Sequence, residues 1–354
     1  MKSNYKQLGQ FIRQVDIRNT DGREDNLLGV SVQKKFIPSI ANTVGTDFTK
    51  YKIVKRGQFT YIPDTSRRGD KIAIALLLDY EEGIVSNVYT VFEVIDENQL
   101  LSEYLMLWFM RPEFDRYARF KSHGSVREVM DWDEMCKVEL PVPEIEKQRQ
   151  IVKAYNTIND RIALKRKIND NLEATAYGIY KNTFFATNNH TWQQGTLSEL
   201  VSVKYGKDHK HLGNGNIPLY GSGGIMRYVE KPLYDKVSVL IPRKGTLSNV
   251  LYIDEPFWSV DTMFYTEIAK PYAAKYVYYF VKSKDLAGMD TGSAVPSMSS
   301  AIIHSMSLSI PDDDTLIAFD NYVQPLFDRI KHNNNEIQKL KDLQNVISTT
   351  LSSR

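Results

Sequence analysis

Apolar residues three and four apart run through two long stretches of the chain. In the first they are Ile151, Tyr155, Ile158, Ile162, Ile168, Leu172, Ala176 and Ile179; in the second, Phe319, Val323, Leu326, Ile330, Ile337, Leu340 and Ile347. That spacing marks one face of an α-helix, and neither glycine nor proline interrupts the first stretch between Pro143 and Gly178. Pro325 does fall inside the second. A proline costs about 3 kcal/mol in a helix interior, which predicts a kink, or a short helix ending near Gln324 and a longer one starting at Pro325. Two helices of about 40 residues would each be roughly 60 Å long, and one apolar stripe does not hold such a helix together alone in water. The economical solution is antiparallel packing of the two, with Ile151, Ile158, Ile162, Leu172, Val323, Ile330, Ile337 and Leu340 in the seam and a globular block at each end. Asn333, Asn334 and Asn335 lie near the stripe, where asparagine lowers stability but fixes register.

The two stretches are copies of each other. Leu140-Pro141-Val142-Pro143-Glu144 opens the first and Leu308-Ser309-Ile310-Pro311-Asp312 the second, so Pro143 recurs 168 residues on as Pro311. At the same offset Asp160-Arg161-Ile162 recurs as Asp328-Arg329-Ile330, Leu172 as Leu340, Gly124-Ser125 as Gly292-Ser293 and Met130 as Met298. A fixed offset over roughly sixty residues is a duplicated unit. The blocks before the helices have drifted: Leu8-Gly9-Gln10-Phe11-Ile12 matches Leu197-Ser198-Glu199-Leu200-Val201 only at an offset of 189.

Within the blocks the pattern is different. Leu27–Val32, Ile53-Val54, Phe59–Ile62, Ile72–Leu78 and Tyr89–Val94 are rich in β-branched and aromatic residues, with turn residues between them, and predict strands. Ser102–Arg119 predicts a helix that Pro112 bends or divides. In the second block Ser238–Ile241 and Val250–Ile253 predict strands, Ala273–Val281 a helix, and Ile217–Gly224 a glycine-rich turn. The expected fold is mixed α+β, an α/β chain of two globular blocks with mixed sheets, residues 1–139 and 188–307. Two long helices, 140–187 and 308–354, join them in a pseudo-two-fold antiparallel coiled coil.

Composition narrows the class. At 354 residues and 42% hydrophobic content the chain predicts about two well-cored domains. No apolar run approaches the ~18 residues of a membrane span, and Met1–Lys6 leads into no apolar signal region. Cys136 is the one cysteine, too few for a disulfide or a cysteine-rich zinc site. The cytoplasm is the expected compartment. A net charge of +2 argues against wrapping nucleic acid over the whole surface, while leaving room for a local basic face.

In this order, several segments resemble the specificity subunits of type I restriction-modification enzymes, across nearly the whole chain. They are Tyr51–Lys55, Ile84–Ser86, Glu113–Tyr117, Gly124–Glu128, Leu140–Pro143 and Gln148–Val152 in the first copy. In the second they are Gly195–Leu200, Ile217–Gly224, Ile241–Thr246 and Thr291–Ser299. The resemblance implies two target recognition domains that each read one half of a split double-stranded DNA sequence, and helices that act as spacer and dock. It implies two methyltransferase subunits as partners, which would carry S-adenosylmethionine, restriction and translocation subunits joining through the complex, and a nucleoid-associated location. No cofactor is expected in this chain. Half-sites would lie about one helical turn apart, ~34–36 Å. One departure is that Asp312-Asp313-Asp314-Thr315 begins the second helix without a counterpart of Gln148, which puts that glutamine's contact in question there.

Candidate DNA contacts are the basic and glycine-bearing loops. Arg243, Lys244, Tyr220 and Ser222 are the sharpest, since glycine lets backbone N–H groups approach phosphates and arginine can pair with guanine O6 and N7. Lys204, Lys207 and Lys210 form a second basic loop; Lys34, Lys35, Arg67, Arg68, Lys71, Lys121 and Arg127 are the first block's candidates. An ordinary solvated turn is the competing reading for each. Lys165-Arg166-Lys167 reads as a solvated helix face or a partner contact. Enzyme signatures are missing: no Pro-Pro occurs for an adenine-methyltransferase motif, Gly206-Lys207 runs into Asp208 rather than Ser or Thr, and no His-x-x-x-His pair exists. Neither a catalytic residue nor a metal ligand is expected. The alternative function is a helical adaptor that binds partner proteins without reading DNA.

Overall fold

The computed structural model describes residues 5–40, 43–65, 71–122, 128–186, 192–289 and 297–351. Arg67, Arg68, Arg127, the Gly124-Ser125 and Gly292-Ser293 repeats and the Thr187–His190 boundary therefore lie outside the described residues. The chain divides into two compact units, Met1–Lys165 with Asn335–Arg354, and Arg166–Asn334. Each unit holds part of both long helices.

Those helices are Ile145–Lys181 and Asp313–Thr350. The second passes through Pro325 as one α-helix, so the expected break near Gln324 does not occur. Tertiary packing outweighs the lost hydrogen bond. Just ahead of the proline, Phe319 and Val323 are buried in the second unit's core with Tyr180 and Phe184, and Leu326 and Phe327 pack against it.

In the first unit the helices run antiparallel. Ile158 and Ile162 bury against Ile337, with Leu340 and Ile347 at the margin. Gln344 donates to Asn159 at 2.5 Å, and Glu336 accepts Arg161 and Lys165, the latter at 2.7 Å. In the second unit Asn333 donates to Asn169 at 2.8 Å and Asn169 to Asn334 at 2.8 Å. A shift of one turn would break this ladder, which is how the asparagines hold register. Of the other expected seam residues, Val323 is buried, while Ile151, Leu172 and Ile330 are half-buried. The stripe missed Tyr180, which is 1% exposed.

The globular part of the first unit is built on a four-stranded antiparallel sheet, in the order Ile12–Val15, Thr90–Val94, Phe59–Tyr61, Ile74–Leu76. Phe59 and Phe92 stack at 4.8 Å and meet Phe109 edge-on. Phe109 ends the helix Ser102–Phe109; Pro112 opens the next, Pro112–Ser122, dividing the expected single helix. Between Val15 and Phe59 the chain leaves the sheet to make the strands Ile17–Arg18 and Lys52–Lys55, which join Glu82–Val85, and a hairpin of Leu28–Val30 with Phe36–Pro38.

The second unit repeats the sheet strand for strand: Val201–Tyr205, Met263–Ile268, Ser238–Pro242, Leu251–Ile253. Here the excursion lies between Tyr205 and Ser238. Its strand Asn214–Gly221 pairs antiparallel with Gly224–Val229 and parallel with Trp258–Ser259. The expected glycine-rich turn over Ile217–Gly224 is thus mostly strand; only the step at Ser222-Gly223 turns. Leu219 and Tyr220 are buried there with Phe257 and Trp258, and β-pairing satisfies a backbone that the glycines would have let bend.

Matching hydrogen bonds fix the correspondence between units. Leu8 N donates to Val138 O at 2.7 Å and Leu197 N to Met306 O at 2.9 Å. Tyr104 Oη donates to Pro141 O at 3.0 Å and Tyr276 Oη to Ser309 O at 2.6 Å. Gln148 shows where they part. Fully buried, it accepts from Leu101 N at 2.9 Å and donates to Gln99 O at 2.9 Å and Pro143 O at 2.8 Å. Its counterpart is Leu316, 1% exposed, and no glutamine is needed: Ala273 N closes onto Lys270 O at 2.8 Å and the Ala274 N–H onto Pro271 O, where Gln148 serves Leu101 N and Gln99 O in the first unit. Gln148→Leu is therefore expected to cost about 1–3 kcal/mol by removing the partner of three part-buried backbone groups. A urea midpoint equal to that of the parent protein would contradict it.

Candidate nucleic-acid interface

At one end of the second unit's sheet, two outgoing strands and one incoming strand converge. Val201–Tyr205 leaves as Gly206-Lys207, Ser238–Pro242 leaves as Arg243-Lys244, and Ser259–Thr262 leads back into Met263–Ile268. That returning loop holds both basic segments by their backbones. Lys207 N donates to Ser259 O at 2.9 Å and Gly206 N to Met263 O at 3.0 Å. Arg243 N and Lys244 N both donate to Thr262 O, at 2.8 and 3.2 Å. A side chain at Gly206 would run into the Val260 carbonyl, so glycine is required for this close approach.

The side chains divide into held and free. The Arg243 guanidinium lies 5.3 Å from the centre of the Tyr205 ring, and Nη1 donates to Asp261 O at 3.1 Å. Tyr205 is half exposed and packs edge-on against Phe264 at 5.0 Å. Lys244, Lys207 and Lys210 are exposed, and among the described residues their ammonium groups have no ion-pair partner. Lys204 is half-buried and sits 3.5 Å from Glu267. Gly245, at φ 82°, turns the chain past Ser222; a Cβ there would lie 2.9 Å from Ser222 Oγ. Ser222 and the Arg243–Gly245 turn are thus neighbours at one sheet edge.

Tyr220 departs from expectation: it is buried, burial pushes its phenol well above the usual range, and it presents no free edge to a ligand. Arg227, unremarked in the sequence, pins the Lys207–Lys210 loop by donating to His209 O at 2.6 Å and Leu212 O at 3.2 Å. No local pattern announces that role, because the loop folds back across a bulged hairpin.

In the first unit Lys34 also corrects the sequence reading. It is buried, paired with Asp115 at 2.8 Å, and donates to the Phe109 carbonyl. Desolvation lowers its pKa while Asp115 opposes the shift. Its ammonium faces the interior, and Lys35 alone of the pair is on the surface. Lys71 and Lys121 instead line an open groove of about 1240 Å³ with Arg116, Arg119 and Phe120. Lys121 sits 3.4 Å from Glu134 and Arg116 3.1 Å from Glu113, while Phe120 is 76% exposed. Arg116, Arg119 and Phe120 lie on a helix rather than in a basic loop, and their spacing of three and four on Pro112–Ser122 marks one helix face. Among the described residues no group of acidic, His or Cys side chains could hold a metal, and no helix is long and apolar enough to cross a membrane.

The arrangement defines a tandem protein: one sheet built twice, each copy followed by a long helix and carrying its own loops. Residues 11–174 and 189–342 each match the type I restriction modification DNA specificity domain. The chain belongs to that family. It is 22% identical over 297 residues to the type I restriction enzyme MjaIX specificity subunit of Methanocaldococcus jannaschii, covering 72% of this chain and 69% of that protein. It is 26% identical over 135 residues to the HindI specificity subunit of Haemophilus influenzae, covering 38% of this chain and 29% of the relative. Among solved structures, the type I restriction-modification S subunit from M. genitalium shares the fold with a TM-score of 0.59 at 14% identity, over 99% of this chain and 96% of that one.

Proposed function

We propose that this chain is the non-catalytic, sequence-reading subunit of a type I restriction-modification complex. Each globular part, residues 1–139 and 188–307, reads one half of a split DNA target. The long helices set the gap and dock methyltransferase subunits, two in number, which carry the S-adenosylmethionine. Restriction and translocation subunits join through that assembly. One observation carries the reading: the same strand order recurs in both units, while the excursions and loops at the sheet ends differ. Two rigid frames with two different edges suit one duplex read at two different half-sequences.

Exchange of residues 192–307 for the equivalent block of another family member tests this in cells that also make the methyltransferase subunits. Methylome sequencing is expected to show one half of the split consensus replaced and the other half and the gap retained. Change in both halves would sink the modular reading. Absence of any methylated consensus from the unexchanged complex would leave the helical adaptor in its place.

A further inference from the structure

We infer that Arg243 reads a guanine in the half-site bound by the second unit, with Tyr205 and Asp261 holding its guanidinium for that contact. The inference rests on the DNA-reading function proposed above and names the base.

The first observation is the state of Arg243 itself. Its backbone is fixed on both sides, by Arg243 N to Thr262 O and by Met298 N to Arg243 O at 2.8 Å. Its guanidinium is oriented by the Tyr205 ring and the Asp261 carbonyl. Among the described residues it has no carboxylate partner, and Nε and Nη2, one edge of the fork, have no acceptor. A guanidinium held rigid with one edge open matches the paired acceptors O6 and N7 of guanine, and little ordering remains to be done on binding. Lys244 beside it is exposed and unanchored at its ammonium, the behaviour of a point charge for phosphate.

The second observation is what stands at the same place in the other unit. Sheet pairing equates Tyr61 with Ile241, because Tyr61 faces Thr90 and Ile241 faces Phe264 on corresponding strands. Two residues on, Pro63 O accepts Met130 N at 2.9 Å just as Arg243 O accepts Met298 N, and the bridge Asp64–Val129 matches Lys244–Ser297. Pro63 and Asp64 thus occupy the places of Arg243 and Lys244. On the neighbouring strand Asp16 follows Val15 where Tyr205 stands in the second unit. Among the described residues the first unit has neither the fork nor its aromatic support at these equivalent positions. The contact held by Arg243 and Tyr205 is therefore not repeated by Pro63 and Asp16.

The test uses the full chain in complex with its methyltransferase subunits, and a duplex carrying the split consensus that methylome sequencing gives. Each position of the half-site assigned to residues 192–307 is replaced in turn, and binding is measured at two salt concentrations for the parent complex and for R243K, R243Q and Y205L. One guanine is expected to be preferred by roughly 10–100-fold, with that preference lost in R243K and R243Q. Y205L is expected to lose part of it at that position alone. R243K decides the matter, since it keeps the charge and loses the fork. Retained discrimination in R243K, equal weakening at every base with a shallower salt slope, unchanged binding by R243Q, or a half-site without guanine would each overturn the inference while leaving split-target reading in place. A parent complex that protects no split sequence would overturn both. Melting curves matching the parent's confirm that the variants fold.

Discussion

Asp320→Ala is expected to destabilise the second unit by roughly 3–5 kcal/mol, toward the lower end of that range. Lys275 is 1% exposed on the helix Ala274–Lys282, and its ammonium reaches Asp320 at 2.5 Å and Gln324 at 2.5 Å on the second long helix. The Tyr252 and Phe327 rings lie 5.6 Å from it. Removing the carboxylate leaves a buried cation with only an amide oxygen and two ring faces, and a buried charge without its counter-ion costs more than the pair contributed. The Asp320 side chain keeps 21% of its surface exposed, so part of the loss is screened. Lys275→Met is the contrasting case. An apolar chain of similar length among aromatic rings removes the more deeply buried charge and leaves Asp320, which still reaches solvent, so the loss is expected to be smaller, about 1–2 kcal/mol. Hydrogen exchange across Ala274–Lys282 and the thermal transition report both. Equal losses in the two variants would mean that packing, not charge pairing, holds the two helices together.

Ile337→Asp is expected to cost about 4 kcal/mol or more and to unfold the helical part of the first unit. Ile337 is 7% exposed and fills the seam with Ile158 and Ile162. The substitution removes the apolar side chain and sets a carboxylate among isoleucines; Arg161 and Lys165 are already engaged by Glu336. Ile337→Val, which trims one methylene, is expected to lose only about 0.5–1.5 kcal/mol. Helical circular dichroism during urea unfolding distinguishes the two. An aspartate variant with an unchanged transition would show that the helices do not depend on this seam.

Much of the frame is legible in the chain itself. The offset of 168 joined Leu140-Pro141-Val142-Pro143 to Leu308-Ser309-Ile310-Pro311, and periodicity marked the seam at Ile158, Ile162 and Ile337. Helical contacts repeat every turn, so local spacing records them. The common sheet was not legible. Its equivalent residues sit 189 apart at Leu8 and Leu197, 180 apart at Tyr61 and Ile241, and 172 apart at Tyr104 and Tyr276, because each unit spends a different length of chain on its excursions. A shifting offset hides the match.

The candidate site divides in the same way. Arg243 and Lys244 could be singled out because a strand-to-turn pattern with a glycine places them at a sheet end. Lys34-Lys35 looked like the same kind of loop, but Lys34 meets Asp115, a partner on a distant helix, and goes inside. Tyr220 follows the pairing of its strand with Trp258–Ser259, which its own neighbours do not record. The sequence by itself determined the duplication, which a fixed offset records, and the two helices with most of their buried faces, which rest on contacts between residues a turn apart. Only the tertiary structure decided that Pro325 is tolerated, that Leu316 can replace Gln148, and that Arg243 stands opposite Tyr205 where the other unit has Pro63 and Asp16. Those outcomes depend on which distant segments meet, and a side chain's fate there is set by the partner it finds.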